Sequence, residues 1–231
     1  MYKRMVIKLS GEALSGETEI YDNSTIDRIL SDIINLSKKG TEIALAVGGG
    51  NIWRGRMAED MDSTKADQMG MLATVINSLY LADRLRAKGQ KTLVLTPFVV
   101  GNFTVFYSKE AALEGFEQNK VLIFGGGIGH PFFSTDTLPA LRAAELNCDC
   151  VLFAKNVDGV YNKNPDHPDA VRYKKITYAK ILQDGLEALD QAAMVICQKN
   201  KIPSVVFSLK HTGILLAAEG NVEDFGTIIE E

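Results

Sequence analysis

Ile43-Ala44-Leu45-Ala46-Val47-Gly48-Gly49-Gly50 and Val121-Leu122-Ile123-Phe124-Gly125-Gly126-Gly127 decide the fold. In each, a short apolar run of buried-strand character ends abruptly in three residues without a Cβ. Three successive glycines let the backbone press against a ligand or turn through positive φ, at an entropic cost that a plain surface turn does not need. Amide groups freed at such an exit converge on anionic oxygens, and a following helix start adds its positive end. With Lys8 and Gly11 near the end of a third apolar run, the pattern predicts a long cleft that holds phosphates.

Around these exits, strand and helix patterns alternate. Strands are predicted at Met5–Leu9, Glu42–Val47, Thr92–Thr96, Lys120–Phe124, Cys148–Ala154, Ser204–Ser208 and Thr227–Ile229. Ile26, Ile29, Leu30, Ile33 and Ile34 recur at helical spacing, giving a helix over Ser24–Lys38 that Gly40 stops. A long helix over Thr64–Lys88 ends at Gly89, with Met71, Leu72, Val75, Ile76, Leu79, Ala82 and Leu85 as its apolar face. Further helices are expected at Lys109–Glu117, Leu138–Leu146, in two pieces around Gln183–Asn200, and at Thr212–Glu219. The polar stretch Lys155–Lys175, with Pro165 and Pro168, reads as a small hairpin or flap. The result is an α/β fold: a mainly parallel central sheet with helices on both faces. The chain is read as a single domain over 1–231, with a boundary near 150 dividing an N-terminal lobe (about 1–150) from a C-terminal one (about 151–231). No flexible linker marks that boundary, and one sheet running through both lobes is equally compatible with it.

Composition narrows the function. The 231 residues carry a formal charge of -4 with both signs interspersed, which argues against a nucleic-acid surface. No run approaches a membrane span, and no signal-like apolar segment precedes the first strand, so a soluble cytoplasmic protein is expected. The three cysteines suit a reducing compartment, and Cys148-Asp149-Cys150 lacks the spacing of a zinc or redox pair. With three histidines, all remote in sequence from the cysteines, a structural zinc site is not expected. Neither a GxxxxGK[ST] motif nor a GxGxxG turn between the first strand and helix is present.

Several side chains are candidates for chemistry. Lys8 interrupts an apolar strand just before Ser10-Gly11, and a fixed cation there suits phosphoryl transfer; a solvated lysine on an exposed face is the plainer account. Arg54 follows the first triplet and offers a phosphate fork, with Arg56 close enough to compete. Trp53 reads as packing ahead of base stacking. Asp67 and Gly70 share a helix face, where Asp67 accepts sugar hydroxyls or simply complements a helix N-terminus. Phe132 and Phe133 are candidate walls of a base pocket, and Thr135 and Asp136 are either site residues or caps. Asp158-Gly159 forms a tight turn, and Tyr161 is placed to cover a purine.

In order along the chain, KLSGEAL at 8–14, GGGN at 48–51, Arg54-Gly55, DQMGMLATVIN at 67–77, GHPFFSTD at 129–136 and VDGVY at 157–161 resemble the bacterial uridylate kinases of the amino acid kinase superfamily. The resemblance extends to Leu189–Ala193 and Gly226–Ile229. It implies transfer of the ATP γ-phosphate to UMP with Mg2+, Lys8, Arg54 and Asp136 being catalytic. It further implies ATP contacts from Lys8, Leu9, Ser10, Gly11, Gly50, Arg54, Asn156, Tyr161 and Asn164. Gly49, Asp67, Ile128, Gly129, His130, Pro131, Phe132, Phe133, Ser134 and Thr135 would hold UMP, and no side chain is assigned to metal. Where the family usually has aspartate after VDGVY, this chain has Asn164, an amide without charge. The family's second helper lysine has no secure counterpart, Lys155 being the available one. A homohexamer with GTP as activator and UTP as inhibitor also comes with the resemblance. A sibling kinase for carbamate or an acylated amino acid, and a nucleotide-binding sensor or storage protein, are the competing functions.

Overall fold

The computed structural model describes residues 2–54, 60–187, 189–209, 213–220 and 222–231. The expectations for Gly55, Arg56 and Thr212 lie outside the described residues. In chain order the strands are β1 (Arg4–Leu9), β2 (Glu42–Val47), β3 (Thr92–Thr96), β4 (Val105–Phe106), β5 (Val121–Phe124), β6 (Cys150–Lys155), β7 (Lys175–Thr177), β8 (Ser204–Ser208) and β9 (Gly226–Glu230). They form a nine-stranded sheet in the order β4-β3-β5-β2-β1-β6-β8-β9-β7. From β4 to β8 every pairing is parallel; β9 runs antiparallel to β8, and β7 parallel to β9. The sheet is continuous across residue 150, since β6 pairs with β1 on one side and β8 on the other.

Alternate residues of the central strands feed two separate cores, as the pleat requires. Met5, Ile7 and Leu9 pack on the face covered by α1 (Asn23–Lys38), α2 (Ser63–Ala87) and α7 (Ile214–Ala218). Val6, Ala44, Ala46, Val151 and Phe153 pack on the face of α3 (Lys109–Glu117), α4 (Thr137–Glu145), α5 (Tyr178–Asp184) and α6 (Gln191–Lys199). Asp22 starts α1 by accepting from the amides of Ser24 and Thr25, and Gly40 and Gly89 leave α1 and α2 in the left-handed region, with φ of 87° and 82°. The three cysteines are buried free thiols; burial pushes Cys148 up to about 12 and Cys150 well above its ordinary value.

Two differences from the sequence reading matter for the site. β4 and β7, of two and three residues, are too short to carry a period-two signal. The inward face of α2 is only in part the apolar stripe expected: Val75, Ala82 and Leu85 are buried, but Leu72 and Ile76 are each 52% exposed, and Thr74, Asn77 and Ser78 are buried instead. The reason lies in what α2 covers. Where it leans on the backbone of the glycine exits it needs small side chains and hydrogen-bonding groups, and Leu72 and Ile76 turn outward.

Candidate active site

Because β5, β2, β1 and β6 are parallel neighbours, their C-terminal ends open along one edge of the sheet, where open α/β sheets bind ligands. Lys8, Ser10, Gly11, Gly49, Gly50, Arg54, Asp67, Ile128, His130, Phe133, Ser134, Thr135, Asn156, Tyr161 and Asn164 line one cleft there, of about 1020 Å³. Leu9 is fully buried in the core. Gly129, Pro131 and Phe132 are not among the lining residues, and the Phe132 side chain is 71% exposed on a backbone with φ of 68°.

The two glycine triplets differ in geometry. None of Gly48–Gly50 takes a left-handed φ. What they provide is proximity: a Cβ on Gly48 would lie 2.8 Å from the Gly11 amide nitrogen, and one on Gly11 would lie 2.4 Å from that of Gly50. The exits of β1 and β2 thus pack backbone to backbone. A Cβ on Gly49 would lie 2.9 Å from both Ala73 Cβ and the Gly70 carbonyl oxygen on α2, so the close approach to the helix requires glycine at 49, whereas a Cβ on Gly70 would meet nothing nearer than Trp53 Cδ1 at 3.7 Å. Gly49→Val should therefore cost about 1–3 kcal/mol through overpacking, seen as a lower urea midpoint; an unchanged midpoint would mean that α2 gives way freely. In the second triplet Gly126 and Gly127 have φ of 84° and 58°, and the Gly126 amide donates to Thr74 Oγ1 at 2.7 Å. That triplet is a true turn tied to α2.

Buried Asn77 anchors the first exit. Its Nδ2 donates to the Gly48 carbonyl and to Asn51 Oδ1, both at 2.7 Å, and its Oδ1 accepts from Tyr21 at 2.9 Å. Nothing in the sequence reading gave this asparagine a role.

The charged centre lies between β1, β6 and the start of α4. Lys8 is 5% exposed, and its Nζ sits 3.0 Å from Asp136 Oδ1, while Lys155 Nζ donates to Asp136 Oδ2 at 2.8 Å. Asp136 flanks α4 but makes no side-chain cap hydrogen bond, so its carboxylate serves the two lysines and not the helix. Burial alone would raise its pKa; the flanking ammonium groups of Lys8 and Lys155 outweigh that and hold it below the usual carboxylate range. Lys155, left without a firm role by the sequence, belongs to this centre by register. Lys8 pairs with Phe153, and Lys155 stands two residues on, on the same sheet face.

Around the centre, Arg54 Nε donates to the Gly50 carbonyl at 2.8 Å and its Nη2 lies 2.8 Å from Glu12 Oε1. Glu12 Oε2 accepts from Asn156 Nδ2. Trp53 donates to the Ala66 carbonyl at 2.9 Å, a packing role. Asp67 Oδ2 accepts from the Phe132 amide at 2.7 Å, which fixes the loop before Phe133 over the cleft. Asp158 accepts from the Tyr161 hydroxyl at 2.8 Å and stands 3.6 Å from Arg172, as a turn residue would. Tyr161 and Arg172 bridge antiparallel, so the excursion after β6 folds as a small hairpin. Asn164 Oδ1 accepts from the Asp166 amide at 3.0 Å.

Comparison with known proteins agrees with this geometry. The model of the amino acid kinase family matches residues 3–208. The UMP kinase of Ureaplasma parvum superposes with a TM-score of 0.93 at 36% identity, covering 100% of both chains. That of Bacillus anthracis gives 0.94 at 34% identity over 99% of this chain and 96% of its own. The uridylate kinase of Archaeoglobus fulgidus, at 24% identity and 0.75 over 97% and 99%, shares the fold. The family match runs from β1 through β8, the strands whose exits build the cleft, and this chain belongs to the amino acid kinase family.

Proposed function

We propose that the protein transfers the γ-phosphoryl group of ATP to UMP, giving UDP and ADP. The observation that carries this reading is the Lys8–Asp136–Lys155 centre, set at the ends of β1 and β6 beside the glycine exit of β2, in a chain that aligns over its whole length with a solved UMP kinase. An oxygen of the UMP phosphate attacks the γ-phosphorus, the bond to the β-phosphate oxygen breaks, and ADP leaves with that electron pair. The attacking oxygen is already anionic, so no general base is required, and the chain supplies position and positive charge.

In this assignment Lys8 and Arg54 neutralise the transferring group, and Asp136 holds Lys8 and Lys155 in place. ATP lies along Lys8, Ser10, Gly11, Gly50, Arg54, Asn156, Tyr161 and Asn164, with Leu9 buried beneath them in the core. UMP lies against Gly49, Asp67 and the stretch from Ile128 to Thr135, with the free Asp67 oxygen available to a ribose hydroxyl. One sheet carries both: the UMP contacts fall within about 1–150, and ATP reaches from the phosphate contacts at Lys8 to Arg54 across to Asn156, Tyr161 and Asn164 in the part of about 151–231.

Among the described residues no three His, Cys, Asp or Glu side chains converge as a metal cage. Mg2+ would enter as the ATP complex, ligated by phosphate oxygens and water, where it would neutralise phosphate charge. A homohexamer is the proposed assembly, and the outward Leu72 and Ile76 give α2 an apolar face for subunit contact. Activation by GTP and inhibition by UTP rest on the family resemblance. Cytoplasmic residence suits the buried free thiols, and no described helix is long and apolar enough to cross a membrane.

ATP and Mg2+ offered with UMP, CMP, dUMP, carbamate and acetylglutamate test the reading. UDP should form fastest. Turnover of carbamate or acetylglutamate without UDP formation would overturn it.

A further inference from the structure

Three strand exits meet at one side chain to which the transfer chemistry gives no part. Glu12 belongs to the 3₁₀ turn Gly11–Leu14 that follows β1, and its side chain is 37% exposed at the cleft. One carboxylate oxygen lies 2.8 Å from Arg54 after β2, and the other accepts from Asn156 after β6. Both of these groups stand on the ATP side of the proposed site. To a guanidinium and an amide, a carboxylate oxygen and a phosphate oxygen are the same kind of acceptor. Glu12 therefore fills the place that a phosphate of ATP needs.

The acid of the charged centre differs. The Asp136 side chain is 8% exposed with its two oxygens on two lysines, so removing it would take the counter-charge from buried Lys8. Glu12 is exposed enough to swing into water, and the pair it leaves behind is a weakly held surface pair.

We propose that Glu12 is a displaceable stand-in for an ATP phosphate. It keeps Arg54 and Asn156 aligned when the donor site is empty and weakens the holding of ATP by the strength of the contacts it must give up. This rests on the reading of the cleft as an ATP site. Glu12 acts through Arg54, so it is a positioning residue that sets donor affinity and not the chemical step.

The test is calorimetric titration of the full chain with the magnesium complex of a non-hydrolysable ATP analogue, and with adenosine. Glu12→Gln should tighten the analogue about two- to fivefold, with Glu12→Ala going at least as far and adenosine unchanged in both. In an Arg54→Gln background, Glu12→Gln should have no effect. Unchanged or weakened analogue binding in Glu12→Gln, or equal tightening of adenosine, would overturn the proposal. Failure of the wild-type chain to bind the analogue at all would instead overturn the ATP-site reading.

Discussion

Lys8→Met should lower kcat by about two to three orders of magnitude, the usual cost of removing one preorganised positive group from a developing negative charge. The lysine stem is held on both sides by strand pairing, to Ala46 in β2 and Phe153 in β6, so Nζ is delivered by the sheet and not by a mobile loop. Methionine keeps the length and apolar body of that stem and loses only the charge. The fold should tolerate the change, because Asp136 retains Lys155 and the centre becomes a one-to-one pair. Steady-state kinetics in ATP and UMP check this. If KM rises while kcat stays near the wild-type value, Lys8 contributes ground-state binding alone and its catalytic role fails.

Asp136→Asn should destabilise the protein by about 3 kcal/mol at neutral pH, since it leaves a buried ammonium without its counter-charge. The effect carries a pH signature with a definite sign. Burial raises the Asp136 pKa and the two lysines lower it by more, so the folded value is depressed. The stability it confers is therefore fully present above the unfolded carboxylate range near about 3.9, and it disappears as pH falls through the depressed value. Wild type and Asp136→Asn should differ in urea midpoint in full above about pH 5 and converge in stronger acid. Phosphate groups of bound ATP would replace the missing anion, so saturating nucleotide should recover part of the loss. A difference that is constant from neutral to strongly acidic pH would show that the substitution acts by packing.

Much of this architecture is legible in the sequence. β2, β3, β8 and α3 lie at their predicted bounds: apolar runs of strand length stand out from their surroundings, with Gly48 closing β2 and Pro97 closing β3, and Ser108 starts α3 by accepting from the Ala111 amide. The cleft is legible for the same reason, since its floor is made of strand ends. Two things were not. Period counting assumes that a helix buries apolar bulk, and α2 buries Thr74, Asn77 and Ser78 against main chain, so its outward and inward faces were exchanged at Leu72 and Ile76. Pairings between distant segments are also silent in a single chain. Lys155 with Asp136, and Glu12 with Arg54 and Asn156, are set by strand register and by loops meeting in space.

The contact of Gly49 with Gly70 and Ala73 has a mechanical consequence. With nothing larger than the Ala73 methyl between them, helix and strand exit have little to compress; the Asn77 hydrogen bond fastens the same exit at Gly48, and Thr74 ties the helix to the neighbouring exit at Gly126. α2 is then a lever rigidly welded to the phosphate end of the sheet. Its far side carries the exposed Leu72 and Ile76, so a load applied to that outer surface arrives at the glycine backbone as displacement and is not absorbed on the way.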